Sequence, residues 1–114
     1  MPLKNYTPHT ICIEKPDGTR LELPSLGVIR VGTHVKKLAE VDGVPISQVM
    51  YGPLEGVPEN VELGDTLIVS MVTRDYAKQD RHPLWHCMLS PDSGPSAIRN
   101  EKGQIVAVKG LLAA

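Results

Sequence analysis

The chain has very few aromatic residues and no phenylalanine. Aromatic side chains make up 4% of its 114 residues. The hydrophobic core must therefore consist mainly of valine, isoleucine, leucine and methionine. A ligand with a flat ring, such as a purine, would find few stacking partners in this protein. The residues that offer a large flat face are Tyr6, Tyr51, Tyr76 and Trp85.

A strong net charge, long hydrophobic runs and a cysteine framework are also missing. The net charge is -1, which provides no general surface for a polyanion, so we expect no DNA or RNA duplex as a partner. The apolar runs are too short for a membrane span or an export signal. Two cysteines in such a chain indicate free thiols. We expect one domain over residues 1–114, cytoplasmic and without membrane contact.

Glycine and proline, in contrast, are frequent. Ten of each divide the sequence into short segments, which is typical of short strands and tight turns. The sequence predicts an α+β fold, mostly antiparallel β, with six or more short strands in hairpins and one or two short helices. The predicted elements are strands over 9–14, 20–23, 28–31, 34–41 and 44–51, a surface loop over 52–59, a buried strand over 65–72, helical turns over 73–79 and a strand or loop over 85–89.

Histidines and cysteines raise the questions of a metal site and of nucleophilic catalysis. His9 and Cys12 form one group and the segment 82–87 holds a second. On a strand, however, residues that are adjacent or three apart point to opposite faces, which favours core cysteines and surface histidines over zinc. Ser93 lacks the strand-to-helix glycines of a nucleophile elbow. We therefore expect no metal, no cofactor and no catalytic residue.

The segment Pro91–Arg99 is the most informative polar stretch. Its prolines and its glycine restrict the backbone, so its hydroxyls, carboxylate and guanidinium should be ordered before a ligand binds. The turn signal of 100–103 and the strand-like run 104–108 follow, which predicts a polar loop leading into a β-hairpin. The sequence contains no glycine-rich phosphate loop, so an anionic ligand would depend on arginines such as Arg99 and Arg30. For any single arginine, solvation or an ion pair is the alternative.

Five segments in a fixed order give the chain a family resemblance. They are Asn5–His9, Val41–Pro45, Gly52–Pro58, Leu67–Ser70 and Arg99–Val106. In this order they resemble the small phage and prophage proteins that include the first anti-Thoeris family. Members of that family bind a cyclic ADP-ribose isomer made by bacterial TIR-domain enzymes. They hold the signal without cleaving it, so the defence effector stays inactive.

The resemblance implies a protein that sequesters the signal without catalysis, a sponge, in the cytoplasm of the bacterial host. It also implies cyclic trinucleotides as a second ligand class, and a homodimer or a hexamer built from dimers with the pocket partly at a subunit interface. A ligand with a pyrophosphate and an adenine calls for arginines, hydroxyls and a flat face. The residues expected to bind it are Arg99, Arg30, Asn5, His9, Ser70, Asp92, Ser93, Ser96, Trp85 and Arg74.

Two other functional classes stay open from the residues themselves. One is a small nucleotide-processing enzyme with His9 or His86 as acid or base. The other is a phage structural or interaction protein. The absence of a recognisable set of nucleophile, base and oxyanion donors favours the last class or a binder over an enzyme.

Overall fold

The computed structural model describes residues 2–62 and 64–114 and contains ten strands, one α-helix and one 3-10 turn in that part of the chain. The elements in chain order are β1 (Leu3–Asn5), β2 (Ile11–Glu14), β3 (Arg20–Leu23), β4 (Arg30–Val41), β5 (Val44–Glu55), β6 (Thr66–Ile68), α1 (Met71–Gln79), the 3-10 turn Trp85–Cys87, β7 (Met88–Pro91), β8 (Ile98–Arg99), β9 (Ile105–Ala107) and β10 (Leu111–Leu112). The predicted α+β class, mostly antiparallel β with a short helix, is confirmed.

A small mixed sheet forms the centre of the protein. Its strand order is β1-β6-β7-β10, in which β1, β6 and β7 pair in parallel and β10 runs antiparallel to β7. Three antiparallel hairpins surround it, formed by β2 with β3, β4 with β5, and β8 with β9. The parallel pairs are long-range contacts between distant segments, which local sequence patterns do not specify.

The core lies on both faces of β6. Leu67 and Val69 point to one face, where they pack with Ile29 and with Ala77 of α1. Ile68 points to the other face and packs against residues of the hairpins β2–β3 and β8–β9. All three consecutive side chains have no exposed surface, because a central strand covered on both sides alternates between two buried layers.

The three predicted hairpin turns are confirmed. Ile11 pairs with Leu23 across the turn at 16–19, and Ile98 pairs with Ala107 across the turn at 100–103. At the third turn, Asp42 and Gly43 both have positive φ, 53° and 77°. This backbone matches the twist of two antiparallel strands and is favoured by an Asp-Gly pair.

Three element boundaries differ from the predicted ones. The strand expected over 65–72 ends at Ile68, because Ser70 caps α1 and its Oγ accepts a hydrogen bond of 3.3 Å from the Thr73 amide. The loop expected over 52–59 begins at residue 56, since β5 continues to Glu55. Trp85–Cys87 forms a 3-10 turn, and the strand that follows begins at Met88.

The hairpin of β4 and β5 is far longer than the short strands that were predicted. Each strand has twelve residues, and every residue from Thr33 to Tyr51 is exposed. We call this part of the hairpin, Thr33–Tyr51, the arm. The radius of gyration is 16.8 Å, against about 13 Å for a compact domain of this length, and the long axis of the protein measures 56 Å. The arm explains the elongated shape.

Candidate functional site

Three polar segments follow the three parallel strands of the central sheet. Tyr6 and Thr7 come after β1, Ser70 comes just after β6, and Asp92 comes after β7. Because the carboxyl ends of parallel strands meet at one edge of a sheet, these segments share that edge. The carboxyl edge of parallel strands is also where open α/β sheets bind their ligands. Two segments that the sequence singled out, 5–9 and 91–99, therefore start at the same side of the protein.

A cavity of about 330 Å³ lies at this edge and is the best candidate for a binding site. We call it the Arg30 cavity. Its walls come from the segment after β1, from the entry to β4 and from the start of α1. The residues that line it are Tyr6, Thr7, Pro8, Val28, Ile29, Arg30, Ser70 and Thr73.

The start of α1 gives the Arg30 cavity two hydroxyl groups and a partial positive charge. Ser70 is the N-cap, and its hydroxyl donates to Thr73 Oγ1 at 2.9 Å. Thr73 Oγ1 in turn donates to the carbonyl oxygen of Ile29 at 3.4 Å, which joins the helix to the entry of β4. The first helical amides have no carbonyl one turn earlier, and no acidic residue occupies the first turn. This end of the helix is therefore favourable for an anion.

Arg30 is the cationic side chain of this cavity. It is exposed at the first position of β4 and lies opposite Glu55 in the register of the hairpin. Among residues 2–62 and 64–114, however, no carboxylate lies within 4.0 Å of its guanidinium nitrogens, although four other ion pairs occur. Its donors are thus available to a ligand, and Glu55 is the group that would compete for them.

Asn5 holds the segment beside this cavity in place. The side chain is buried, and its Nδ2 donates to the carbonyl oxygens of His9 at 2.7 Å and Leu23 at 2.9 Å. Its Oδ1 accepts from the amide of Thr7 at 2.9 Å and from the hydroxyl of Thr7 at 2.6 Å. All of these bonds are internal, so the amide of Asn5 shapes the segment that carries Tyr6 and Thr7. The side chain of His9 is exposed just beyond it.

The loop Pro91–Arg99 is ordered by its own side chains, as its composition predicts. Asp92 accepts from the Gly94 amide at 3.3 Å and from the Ser96 hydroxyl at 3.0 Å. Arg99 Nη1 donates to the carbonyl oxygen of Gly103 at 2.8 Å, and Nη2 donates to that of Ser93 at 3.4 Å. Two nitrogens of the Arg99 guanidinium therefore already donate hydrogen bonds to the loop and the hairpin turn.

A second, smaller cavity lies between this loop and the start of β2. Its volume is about 210 Å³, and Pro91 and Ser93 face Thr10–Cys12 and 105–108 across it. The segment from Thr7 to Cys12 thus borders the Arg30 cavity at its start and this second cavity at its end. The segments 5–9 and 91–99 thus contribute to two separate cavities, and His9 is not among the described residues that line either of them.

Arg74 and Trp85 lie outside both cavities. Arg74 is buried, and its Nη1 donates to Ser90 Oγ at 2.7 Å and to the carbonyl oxygen of Leu112 at 3.2 Å. Its Nη1 thus joins α1 to β7 and β10, while its Nε and Nη2 donate to Asp75 of the same helix at 2.9 and 2.8 Å. Trp85 lines a larger cavity, of about 720 Å³, at the far end of α1, and Lys78 Nζ lies 5.7 Å from the centre of its ring.

The titratable groups with shifted pKa values are also away from the Arg30 cavity. Lys4 and Asp65 form an ion pair of 2.8 Å, and this hydrogen bond lowers the pKa of the Asp65 carboxyl and raises that of Lys4. Burial raises the pKa of the Cys87 thiol, which disfavours the nucleophilic thiolate. In the described ranges, no three His, Cys, Asp or Glu side chains are grouped closely enough to hold a metal ion.

Two parts of the Arg30 cavity were missed as site residues. The sequence marks Tyr6 as a possible stacking face without placing it in the site, and it gives no indication of Thr73. The signal that could have found the helix start is Ser70 three residues before Thr73, an N-cap pattern. The apolar run before it hid this signal, because the run suggested that the strand continued to residue 72.

Within residues 2–62 and 64–114, no helix has the length and apolar character needed to cross a membrane. A comparison of the chain with protein-family models, curated proteins and solved structures returned no significant match.

Proposed function

We propose that the protein is a non-catalytic phage anti-defence protein that binds and sequesters a cyclic nucleotide immune signal in the cytoplasm of the bacterial host. The ligand is a cyclic ADP-ribose isomer, with cyclic trinucleotides as a second ligand class. The observation that supports this proposal most directly is the Arg30 cavity. It combines an available guanidinium, an aromatic ring and the start of a helix at the edge of the central sheet.

Each part of this cavity suits one part of such a ligand. The pyrophosphate takes the guanidinium of Arg30 and lies near the positive end of α1, both of which favour negative charge. The ring of Tyr6, which is half-buried in the wall, offers a face to the adenine. A volume of about 330 Å³ lies at the lower end of the range for small-molecule sites.

The chemistry of the cavity wall supports binding without cleavage. Its polar side chains are hydroxyls, one phenol and one guanidinium, and no carboxylate or imidazole is among the described residues that line it. General acid–base cleavage would need a group that exchanges protons near neutral pH at the reacting atoms. A protein that only sequesters its ligand instead needs a preformed site, and the internal bonds of Asn5 fix the wall of the Arg30 cavity that carries Tyr6 and Thr7.

Thermal-shift measurements with cyclic ADP-ribose isomers and cyclic trinucleotides test the proposal. A ligand at a hundred-fold excess over its Kd stabilises the folded protein by about 2.7 kcal/mol, which is easily detected. After heat denaturation, chromatography should recover the ligand intact and in a fixed ratio to the protein. Cleaved product formed over many turnovers would show an enzyme instead. No stabilisation by any nucleotide would favour a structural protein.

Two arginine variants locate the site. Arg30→Ala is expected to weaken binding by about 10- to 100-fold, the usual cost of losing a charge-assisted hydrogen bond to a phosphate. Arg20→Ala is the matched control, because Arg20 is also an exposed strand arginine but pairs with Glu14 on another hairpin. Equal affinity of the two variants would contradict the placement of the ligand in the Arg30 cavity. Arg99→Ala then measures whether the Pro91–Arg99 loop, which lies outside the Arg30 cavity, contributes to binding.

A further inference from the structure

The cavity at the far end of α1 contains two basic side chains without an acidic partner. Its volume is about 720 Å³, and its lining includes Lys78, Arg81 and Trp85. In the part of the chain that the structure describes, no carboxylate lies within 4.0 Å of the side-chain nitrogens of Lys78 or Arg81. We propose that this cavity, the Trp85 cavity, binds an acidic peptide segment of a partner protein, whose carboxylates pair with Lys78 and Arg81.

The backbone at Arg81 is strained for the residue that occupies this position. Arg81 has a φ of +54°, and Asp42 is the other non-glycine residue with positive φ among the described residues. The conformation of Asp42 is less unusual, because aspartate tolerates this region and is favoured in hairpin turns. Arginine has no such preference, so a glycine at position 81 would avoid the strain.

The hydrogen bonds around Arg81 are those of a helix end at which glycine is usual. The amide of Arg81 donates to the carbonyl oxygen of Lys78 at 3.1 Å, and the amide of His82 donates to that of Ala77 at 2.9 Å. Both bonds involve the backbone alone, so they would form equally well with glycine at position 81. The helix end therefore does not need the side chain of Arg81, which is exposed. Strained residues of this kind are frequent at binding sites, where the side chain serves a ligand and not the fold.

The charges of the Trp85 cavity favour an acidic ligand. Asp75 is the one acidic side chain among the described residues that line it, and its Oδ1 accepts from Nε and Nη2 of Arg74 at 2.9 and 2.8 Å. Because Arg74 compensates the charge of Asp75, Lys78 and Arg81 leave the cavity with a positive excess. The chain as a whole has a net charge of -1, so this excess is local and complementary to carboxylates.

The surroundings of Trp85 favour a peptide over a nucleotide. Lys78 Nζ lies 5.7 Å from the centre of the indole ring, and Trp85 also packs against the core cluster. A base would have to displace Lys78 to stack on this face of the ring, whereas a carboxylate can bind the ammonium group where it lies. An extended peptide places every second side chain on one side, so alternating acidic residues can reach both cations. Tryptophan and arginine are also the residues that most often dominate the binding energy between proteins.

Titration with an acidic peptide, followed by tryptophan fluorescence, tests this proposal. The chain has a single tryptophan, Trp85, so its emission reports on this cavity. The start of α1 is about 13 Å away along the helix, so a ligand in the Arg30 cavity should not contact the ring. A short peptide in which glutamate and serine alternate should change the emission and saturate with a Kd below about 1 mM. The same peptide with glutamine in place of glutamate should have no effect. No response to the glutamate peptide, or an equal response to both peptides, would overturn the proposal.

The variant Arg81→Gly separates binding from stability. It should raise the midpoint of thermal unfolding by about 2–6 °C, because it removes the strain. It should also weaken peptide binding by about 10- to 100-fold, because it removes a charge-assisted hydrogen bond. Arg20→Ala is the matched control, since it removes one positive charge from another hairpin. An equal loss of affinity in the control, or a lower midpoint for Arg81→Gly, would contradict the role assigned to Arg81. Arg30→Ala should leave peptide binding unchanged, so this proposal stands or fails independently of the nucleotide site.

Discussion

Replacing Gly56 by alanine should destabilise the protein by about 2–5 kcal/mol, much more than the same change at Gly43. The two glycines have nearly the same backbone conformation, with φ of +80° and +77°. Any L-residue in this region costs about 1–2 kcal/mol, and this cost is common to both sites. At Gly56, however, a Cβ atom would overlap the carbonyl oxygen of Val28, a backbone atom that cannot rotate away. Overpacking of this kind adds about 1–3 kcal/mol.

Gly43 isolates the backbone cost, because a Cβ atom there would meet nothing within 4 Å. Gly103→Ala serves as a second control, since Gly103 has φ of +77° and is equally open. Urea denaturation followed by circular dichroism gives the free energy of unfolding of each variant, with m expected to stay constant. A free energy of unfolding for Gly56→Ala within about 0.5 kcal/mol of both controls, the level of an ordinary surface substitution, would show that the Val28 carbonyl adds no cost.

The same substitution should also affect the candidate site. Val28 lines the Arg30 cavity together with Ile29, whose carbonyl oxygen accepts the hydrogen bond from Thr73. A shift of Val28 would therefore change the distance between Arg30 and the start of α1. We expect Gly56→Ala to weaken nucleotide retention in the proposed cavity, whereas Gly43→Ala should leave it unchanged. Titration calorimetry of both variants measures this difference.

Three further predictions concern stability and reactivity. Asn5→Ala should cost at least about 2 kcal/mol in urea denaturation, because it leaves buried backbone groups without partners. In the folded protein, the pKa of the Asp65 carboxyl lies below the usual 3.8. The stability from its pair with Lys4 is therefore lost as the pH falls through this folded pKa, and the difference in the free energy of unfolding between wild type and Asp65→Asn should close below about pH 4. The gap should also close as pH rises through the raised pKa of Lys4, above the usual 10.5. Cys87 should react with iodoacetamide at least about ten-fold more slowly in the folded protein than in denaturant, since burial raises its pKa; equal rates would contradict this.

Local patterns were sufficient for the hairpins and insufficient for the central sheet. Asp42-Gly43 and the turn at 100–103 specify their hairpins because the information lies within a few residues. The pairing of β1 with β6 joins Leu3 to Thr66 and depends on the whole hydrophobic core, so no local pattern encodes it. The continuation of β5 through Gly52 and Pro53 was missed for a related reason. Leu54 packs against the core cluster, and this tertiary contact outweighs the turn preference of its two neighbours.

For the candidate site, the sequence was a better guide to the segments that contribute than to the role of each side chain. The segments around Asn5, Arg30, Ser70 and Asp92 start at or near one edge of the sheet, and this follows from where strands end in the chain. Individual roles depend on which donors remain after folding, and only the contacts reveal this. The polarity of Asn5 marks it as a candidate in the sequence, yet its amide is fully engaged within the protein. Arg30 was chosen because it interrupts an apolar run, and it has no ion-pair partner within 4.0 Å in the described chain. The same criterion, polarity in an apolar context, thus selects both a structural residue and a candidate ligand residue, and their hydrogen bonds separate the two.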